Sequence, residues 1–297
     1  MNSLSNHLHE FARERRIDLL GIAPVGRFEG VPAQHHPASI FPETRSVIVL
    51  GKRITRGTLR GVEEGTQFDL YSMFGQSWLA DRVLAVATVT LAQFIEDHGW
   101  EAVPLQDLPP EVPPSGVAVR PGLPPPNVMI DFRDAAIRAG LGRYGWCGEL
   151  LTPRFGPRQR FQMILTDAEL DPTPLCTEPV CDQCGNCAAA CPLDAIEASG
   201  EHDVEVCGLS MRVAGIDLRK CAQCRNGATP NASHPAGKPD RLGALCVRTC
   251  MDHLEESGRI SNRFTNPFRV RPAWRTDSRG NTALWQADAA EAAEPGQ

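Results

Sequence analysis

Apolar positions along the first half of the chain recur with helical spacing in some stretches and in unbroken, strand-like runs in others. Leu4, Leu8, Phe11 and Ala12 form a helical stripe, and a strand-like piece follows from Leu19 to Ala23. Ser46 to Leu50 reads as a short buried strand ending at Gly51. The clearest helix is expected to start near Ser77, a good capping residue, with Val83, Leu84, Ala87, Leu91, Phe94 and Ile95 on one face. Gly99 suits its C-terminal end. Residues 103–126 are proline-rich and predict an irregular wrap or lid. A helix over Phe132 to Ala139 leads into Gly140-Leu141-Gly142, and Phe161 to Leu165 reads as a strand. The alternation predicts an α/β (α+β) domain over residues 1–170.

The periodicity then stops. From 171 to 256 few large apolar residues separate the cysteines, so this region is expected to fold around metal. Cys181, Cys184, Cys187 and Cys191 have the C-x2-C-x2-C-x3-C-P spacing of a bacterial-type 4Fe–4S site. Three thiolates three positions apart on a tight loop can converge on one cubane. The fourth starts a helical turn, points elsewhere, and in two-cluster proteins serves the other cluster. Zinc ribbons instead pair two C-x2-C elements. The expected second cluster takes Cys191 with Cys207, Cys221 and Cys224, and either Cys246 or Cys250 returns to complete the first, the other being spare. Cys176 is expected to be spare, and Cys147 to be an inert thiol or to face a cofactor. His202, His234 and His253 are lone loop histidines, which are seldom ligands.

Composition narrows the classes. With 297 residues the chain can bury one large or two ordinary domains, and a formal net charge of −6 gives no general attraction to nucleic acid or anionic membranes. Eleven cysteines in metal-type spacing argue for a reducing compartment, and a cytoplasmic location is expected. No apolar run looks long enough to span a membrane. Arg15-Arg16 precedes a short apolar stretch, but Asp18 and Pro24 interrupt it and argue against an export signal. Residues 257–297 form a basic extension, with Arg259, Arg263, Arg269, Arg271, Arg275 and Arg279, followed by a tail expected to be disordered.

Residues 135–170, AAIRAGLGRYGWCGELLTPRFGPRQRFQMILTDAEL, resemble a hallmark region of epoxyqueuosine reductases and corrinoid reductive dehalogenases. In that family a GLG turn precedes a G-x-x-LL-x-P-x-FG stretch and a strand ending in TD-x-x-L, with the cluster motif shortly after. The spacing from Cys191 to Cys207 also matches the epoxyqueuosine reductase pattern. The resemblance implies a nitroreductase-like, cobalamin-binding domain followed by a two-cluster ferredoxin-like domain. It implies that an external low-potential donor of ferredoxin or flavodoxin type feeds electrons through the clusters to cobalt. Gly140, Gly142 and Gly145 would let backbone approach the corrin closely, with Cys147 on the loop beside it.

The departures matter too. The family's acidic proton donor falls on Pro126, so Asp131, Tyr144 or Tyr71 would have to replace it. Asp131 also suits a plain helix-capping role. Three function classes follow: a cobalamin-dependent iron–sulfur reductase of a small organic substrate, an epoxyqueuosine reductase acting on tRNA, or a non-catalytic electron carrier or corrinoid-reactivating protein. The missing acid, the acidic net charge and the lack of a helical-repeat module weigh against tRNA.

Overall fold

The computed structural model describes residues 3–276 and 282–284. Its first part is an antiparallel sheet with both faces covered. The strands are β1 (Leu19–Pro24), β2 (Ser46–Arg53), β3 (Ala102–Leu105) and, further on, β6 (Gln159–Thr166), in the order β1-β2-β6-β3. Because neighbouring side chains point to opposite faces, each strand feeds two cores. Ile22, Ile48, Leu50 and Ile164 pack under helices α1 (Ser3–Glu14) and α4 (Ala85–Glu96), meeting Leu8, Leu91 and Ile95. Val47, Val49, Met163 and Leu165 face the other way, toward α5 (Phe132–Arg138). Covering on both sides explains why the strands read as apolar runs and not as alternations.

Between β2 and α4 lie α2 (Arg60–Glu63) and α3 (Asp69–Tyr71), the latter continuing through π-turns at Ser72–Ser77 and Leu79–Leu84 into α4. The helix thus begins well before the expected Ser77, whose hydroxyl bonds back to Ser72 O and caps nothing. Leu84, Ala87, Leu91 and Ile95 face the sheet as expected, whereas Val83 is 50% exposed. Gly99 ends the segment at φ +84°, a left-handed conformation that suits glycine. The continuous stretch Asp69–Glu96 is long and apolar enough to cross a membrane by length and composition, contrary to expectation, although one side of it packs on the sheet.

The remainder is built from short pieces: β4 (Arg143–Tyr144) against β5 (Leu150–Leu151), helices α6 (Asn186–Ala189) and α7 (Leu218–Gln223), and α8 (Leu245–Glu256). The pattern missed several regular elements: β3, which enters the proline-rich stretch 103–126 expected to be irregular, α8, and the hairpin of β7 (Ile196–Val206) and β8 (Leu209–Ile216). The hairpin's alternation was legible in β8, where Met211 and Val213 point inward between exposed Ser210 and Arg212. Cys207 and Gly208 form its tip with φ of 52° and 75°, the two left-handed positions of a tight two-residue turn.

Residues after 257 return across the first part. Phe268 is buried with Ile54, Leu59, Tyr71 and Met251, and β9 (Trp274–Thr276) pairs with β10 (Thr282–Leu284). The expected basic stretch is largely engaged with the protein. Arg259 pairs with Asp182, Arg263 bonds Gly258 O, and Arg271 pairs with Glu64. Arg279 and the C-terminal tail lie outside the described residues.

Candidate metal centres and the adjoining cavity

The cysteines converge into two chambers. Cys181, Cys184 and Cys187 line the first together with Cys250, and Cys147 also opens onto it. Cys191, Cys221, Cys224 and Cys246 line the second. The fourth thiol of the Cys181 motif therefore lines the other chamber. Cys246 and Cys250 stand at i, i+4 on α8, one turn apart, and supply one thiol to each chamber. Neither is spare.

Cys207 is a correction. It was expected in the second set, but the β7–β8 hairpin carries it away from both chambers. Its sulfur lies 3.4 Å from Arg27 O and 3.8 Å from Arg138 Nη1, at the wall of a separate cavity. Cys176 lines neither chamber, and its thiol donates to Glu178 O.

The chambers have the chemistry of a cluster site. Burial pushes the thiols of Cys181, Cys221, Cys224 and Cys246 up, so they hold their protons unless a metal displaces them. Backbone N–H groups nevertheless aim at sulfur: those of Trp146 and Gln183 lie 3.4 and 3.3 Å from Cys181 Sγ, and Ala195 N lies 3.3 Å from Cys191 Sγ. The N–H groups of Asn226 and Ala228 reach Cys224 in the same way. Such donors suit thiolates bound to iron and tune their potential. Arg241 lines the second chamber, and its buried Nη1 has no hydrogen-bond partner among the described residues. An anionic cluster would satisfy that guanidinium. The residues present fit two cubanes.

Beside the chambers lie two cavities, of about 1020 and 370 Å³, which share Pro110, Glu111, Asp131 and Lys238 in their walls. Buried charge surrounds the smaller one. Arg241 Nη2 pairs with Glu149 at 2.7 Å, and Tyr71 donates to Asp240, which also pairs with Arg160. Arg241 thus has one side on this cavity and the other on the second chamber. Asp107 also lines the smaller cavity, and desolvation there draws its carboxyl up to about 6. Sequence reading passed over this residue because nothing in its proline-flanked surroundings forms a motif.

The expected catalytic pair reads differently in space. Asp131 caps α5, its Oδ1 accepting from Arg133 N at 2.8 Å and Asp134 N at 3.3 Å. These bonds tie the carboxyl to the start of α5, although the side chain borders both cavities. Tyr144 lines the larger cavity, and burial raises its hydroxyl, making it a weaker acid.

The glycines serve packing. A Cβ on Gly140, which has φ +76°, would strike Pro174 O, and one on Gly142 would strike Leu151 O. Neither lines the two chambers or the two cavities beside them. Gly145 borders the first chamber and leaves no room for a side chain beside Leu151. At all three positions the glycine allows close approach of one chain segment to another.

Comparison with known proteins places this fold. No family model matches the chain. Its fold is similar to that of a catabolic reductive dehalogenase in complex with 3-bromo-4-hydroxybenzoic acid, at 20% identity and a TM-score of 0.51, covering 79% of this chain and 29% of that one. An epoxyqueuosine reductase solved with a modified tRNA stem loop aligns at 16% identity and a TM-score of 0.47, covering 81% and 70%. Tetrachloroethene reductive dehalogenases of Desulfitobacterium hafniense and Dehalobacter restrictus are 43% identical over 74 residues, 24% of this chain and 13% of theirs. The chain thus spans under a third of the dehalogenase structure, and the curated match spans about an eighth of those enzymes.

Proposed function

We propose that the chain is an iron–sulfur oxidoreductase that carries electrons through two 4Fe–4S clusters to a corrinoid, which reduces a small organic substrate. The reading is carried by the division of eight cysteines into two quartets joined through α8, next to a cavity with a charged wall. The names of the similar proteins support it: both dehalogenases and epoxyqueuosine reductases are reductases, and one dehalogenase structure is described in terms of B12-dependent dehalogenation. The nitroreductase-like and ferredoxin-like description of the two parts belongs to the same proposal.

The larger cavity, about 1020 Å³, fits a bulky planar group, and Gly26, Gly30 and Gly208 in its wall leave backbone exposed to it. When bound, the clusters would supply single electrons and the corrinoid a reducing metal centre. The protein's own residues hold the rest. Arg241 would stabilise negative charge in the second chamber while anchored by Glu149 and by Cys147 O. Asp107, with its raised carboxyl pKa, is a candidate proton source at the smaller cavity, whereas capping Asp131 and Tyr144 line the larger one.

Anaerobic purification with iron, sulfide and cobalt quantified tests the proposal. The expected result is about eight irons per chain and a visible spectrum that shifts on cobalamin titration. No cobalamin binding at about tens of micromolar would leave an electron carrier. Conversion of epoxyqueuosine-modified tRNA, above a Cys224→Ala control, would overturn the small-molecule assignment. A ferredoxin or flavodoxin as donor and a cytoplasmic location belong to the proposal as well.

A further inference from the structure

The first chamber holds one thiol more than a cubane requires, since Cys147 borders it along with Cys181, Cys184, Cys187 and Cys250. Cys147 is 2% exposed, and its thiol lies within hydrogen-bond reach of both Cys187 and Cys250. Its place is fixed from several sides. Gly148 N bonds Gly145 O at 2.8 Å across the turn, Ala214 N bonds Trp146 O at 2.8 Å, and Arg241 Nη2 holds Cys147 O at 2.9 Å. Cys184 is the opposite case. It is the one cysteine of the eleven that is exposed, and its sulfur lies within 4.8 Å of ligand atoms on Asp182 and His253 at the rim. Those two already bond each other at 2.8 Å, and Arg259 pairs with the same carboxylate.

We propose that Cys147 is a fifth, ligand-competent thiol of the first chamber, and that Cys147, Cys181, Cys187 and Cys250 can hold the cluster when Cys184 is withdrawn. The inference rests on the two-cluster reading. The exchange moves no electrons. Cys147 loses its proton as its sulfur bonds iron, and the departing Cys184 thiolate takes one up at the solvent-facing rim. The cluster then has an inner, enclosed set of four ligands and an outer set that uses one exposed cysteine.

Iron counts on the full chain, reconstituted anaerobically, decide the matter. Wild type, Cys184→Ala and Cys147→Ala should each hold about eight irons, and the double variant about four. Four retained irons also show that the chain has folded, because α8 carries a ligand for each chamber. The reduced-state electron paramagnetic resonance signal of Cys184→Ala should differ from wild type at unchanged iron content. About four irons in Cys184→Ala alone, or about eight in the double variant, would overturn the proposal. A fall to about four in Cys147→Ala alone would do so too, by making that thiol obligatory. Wild type holding about four irons or fewer would instead defeat the two-cluster reading before any variant is compared.

Discussion

The two sulfur chambers share a helix but differ in their surroundings. The second is closed by four thiols and by Arg241, whose other contacts run to Glu149 and the smaller cavity. The first has five thiols, one of them exposed beside Asp182 and His253. An enclosed chamber with a buried cation suits a cluster coupled to the cavity, because low dielectric strengthens that charge's effect. A chamber with a thiol at the surface suits exchange with the outside. The same motif, Cys181 to Cys191, feeds both, so the contrast comes from what the rest of the chain brings to each.

Stripping both metals should have the largest effect. With few apolar side chains among the ligands, chelation should abolish cooperative unfolding of residues 171–256, while the sheet with its two apolar cores stays folded. Circular dichroism and limited proteolysis would follow this; equal loss of both parts would show that the sheet also depends on the metal. Mild chelation should release iron from the first chamber before the second, through the exposed Cys184. Reversal of that order would break the comparison.

Cys246→Ala should remove the second cluster alone and halve the iron content, whereas Cys207→Ala should leave it unchanged. Equal loss from both variants would restore Cys207 as a ligand. Glu63→Ala tests what the chambers have in common. Arg248 on α8 is 2% exposed and pairs with Glu63 while also bonding Asn226 O and Gly243 O. Removing its carboxylate partner should cost about 3–5 kcal/mol by denaturant titration of the holoprotein and loosen both clusters together.

The smallest effect is one of pH. Asp107 is an exposed residue, but loss of water around its carboxyl at the rim of the smaller cavity draws it up to about 6 from its ordinary 3.8, so the folded state favours the protonated acid. Its contribution is fully present below the unfolded value and is lost as pH rises through about 6. Asp107→Asn should therefore melt like wild type near pH 4 and above it at pH 7. A melting difference that stays flat between those pH values would show that the Asp107 carboxyl keeps its water in the folded state.

Much of the scaffold was legible from local pattern. The strands at Leu19, Ser46 and Phe161 and the helix at Phe132 lie where apolar spacing put them, because each is fixed by its own period and by burial on both faces. The Cys181 motif likewise specified its own split, since a turn of helix after Cys187 turns Cys191 away from the other three.

What the sequence by itself determined is therefore local: element types, the cluster motif and the division of its four thiols. Tertiary structure alone decided which distant thiols complete each quartet. Cys207 matched a spacing, yet the tip of the β7–β8 hairpin places it at the large cavity, and Cys246 and Cys250 line different chambers because one helix runs between them. Asp131 turned out to be a cap, Gly140 and Gly142 to be points where chain meets chain, and Cys147 to be a chamber thiol. Apart from the Asp131 cap, which is local and was open to the sequence, each of these depends on contacts between separate segments, whose direction is set by packing and register and leaves no period in the chain.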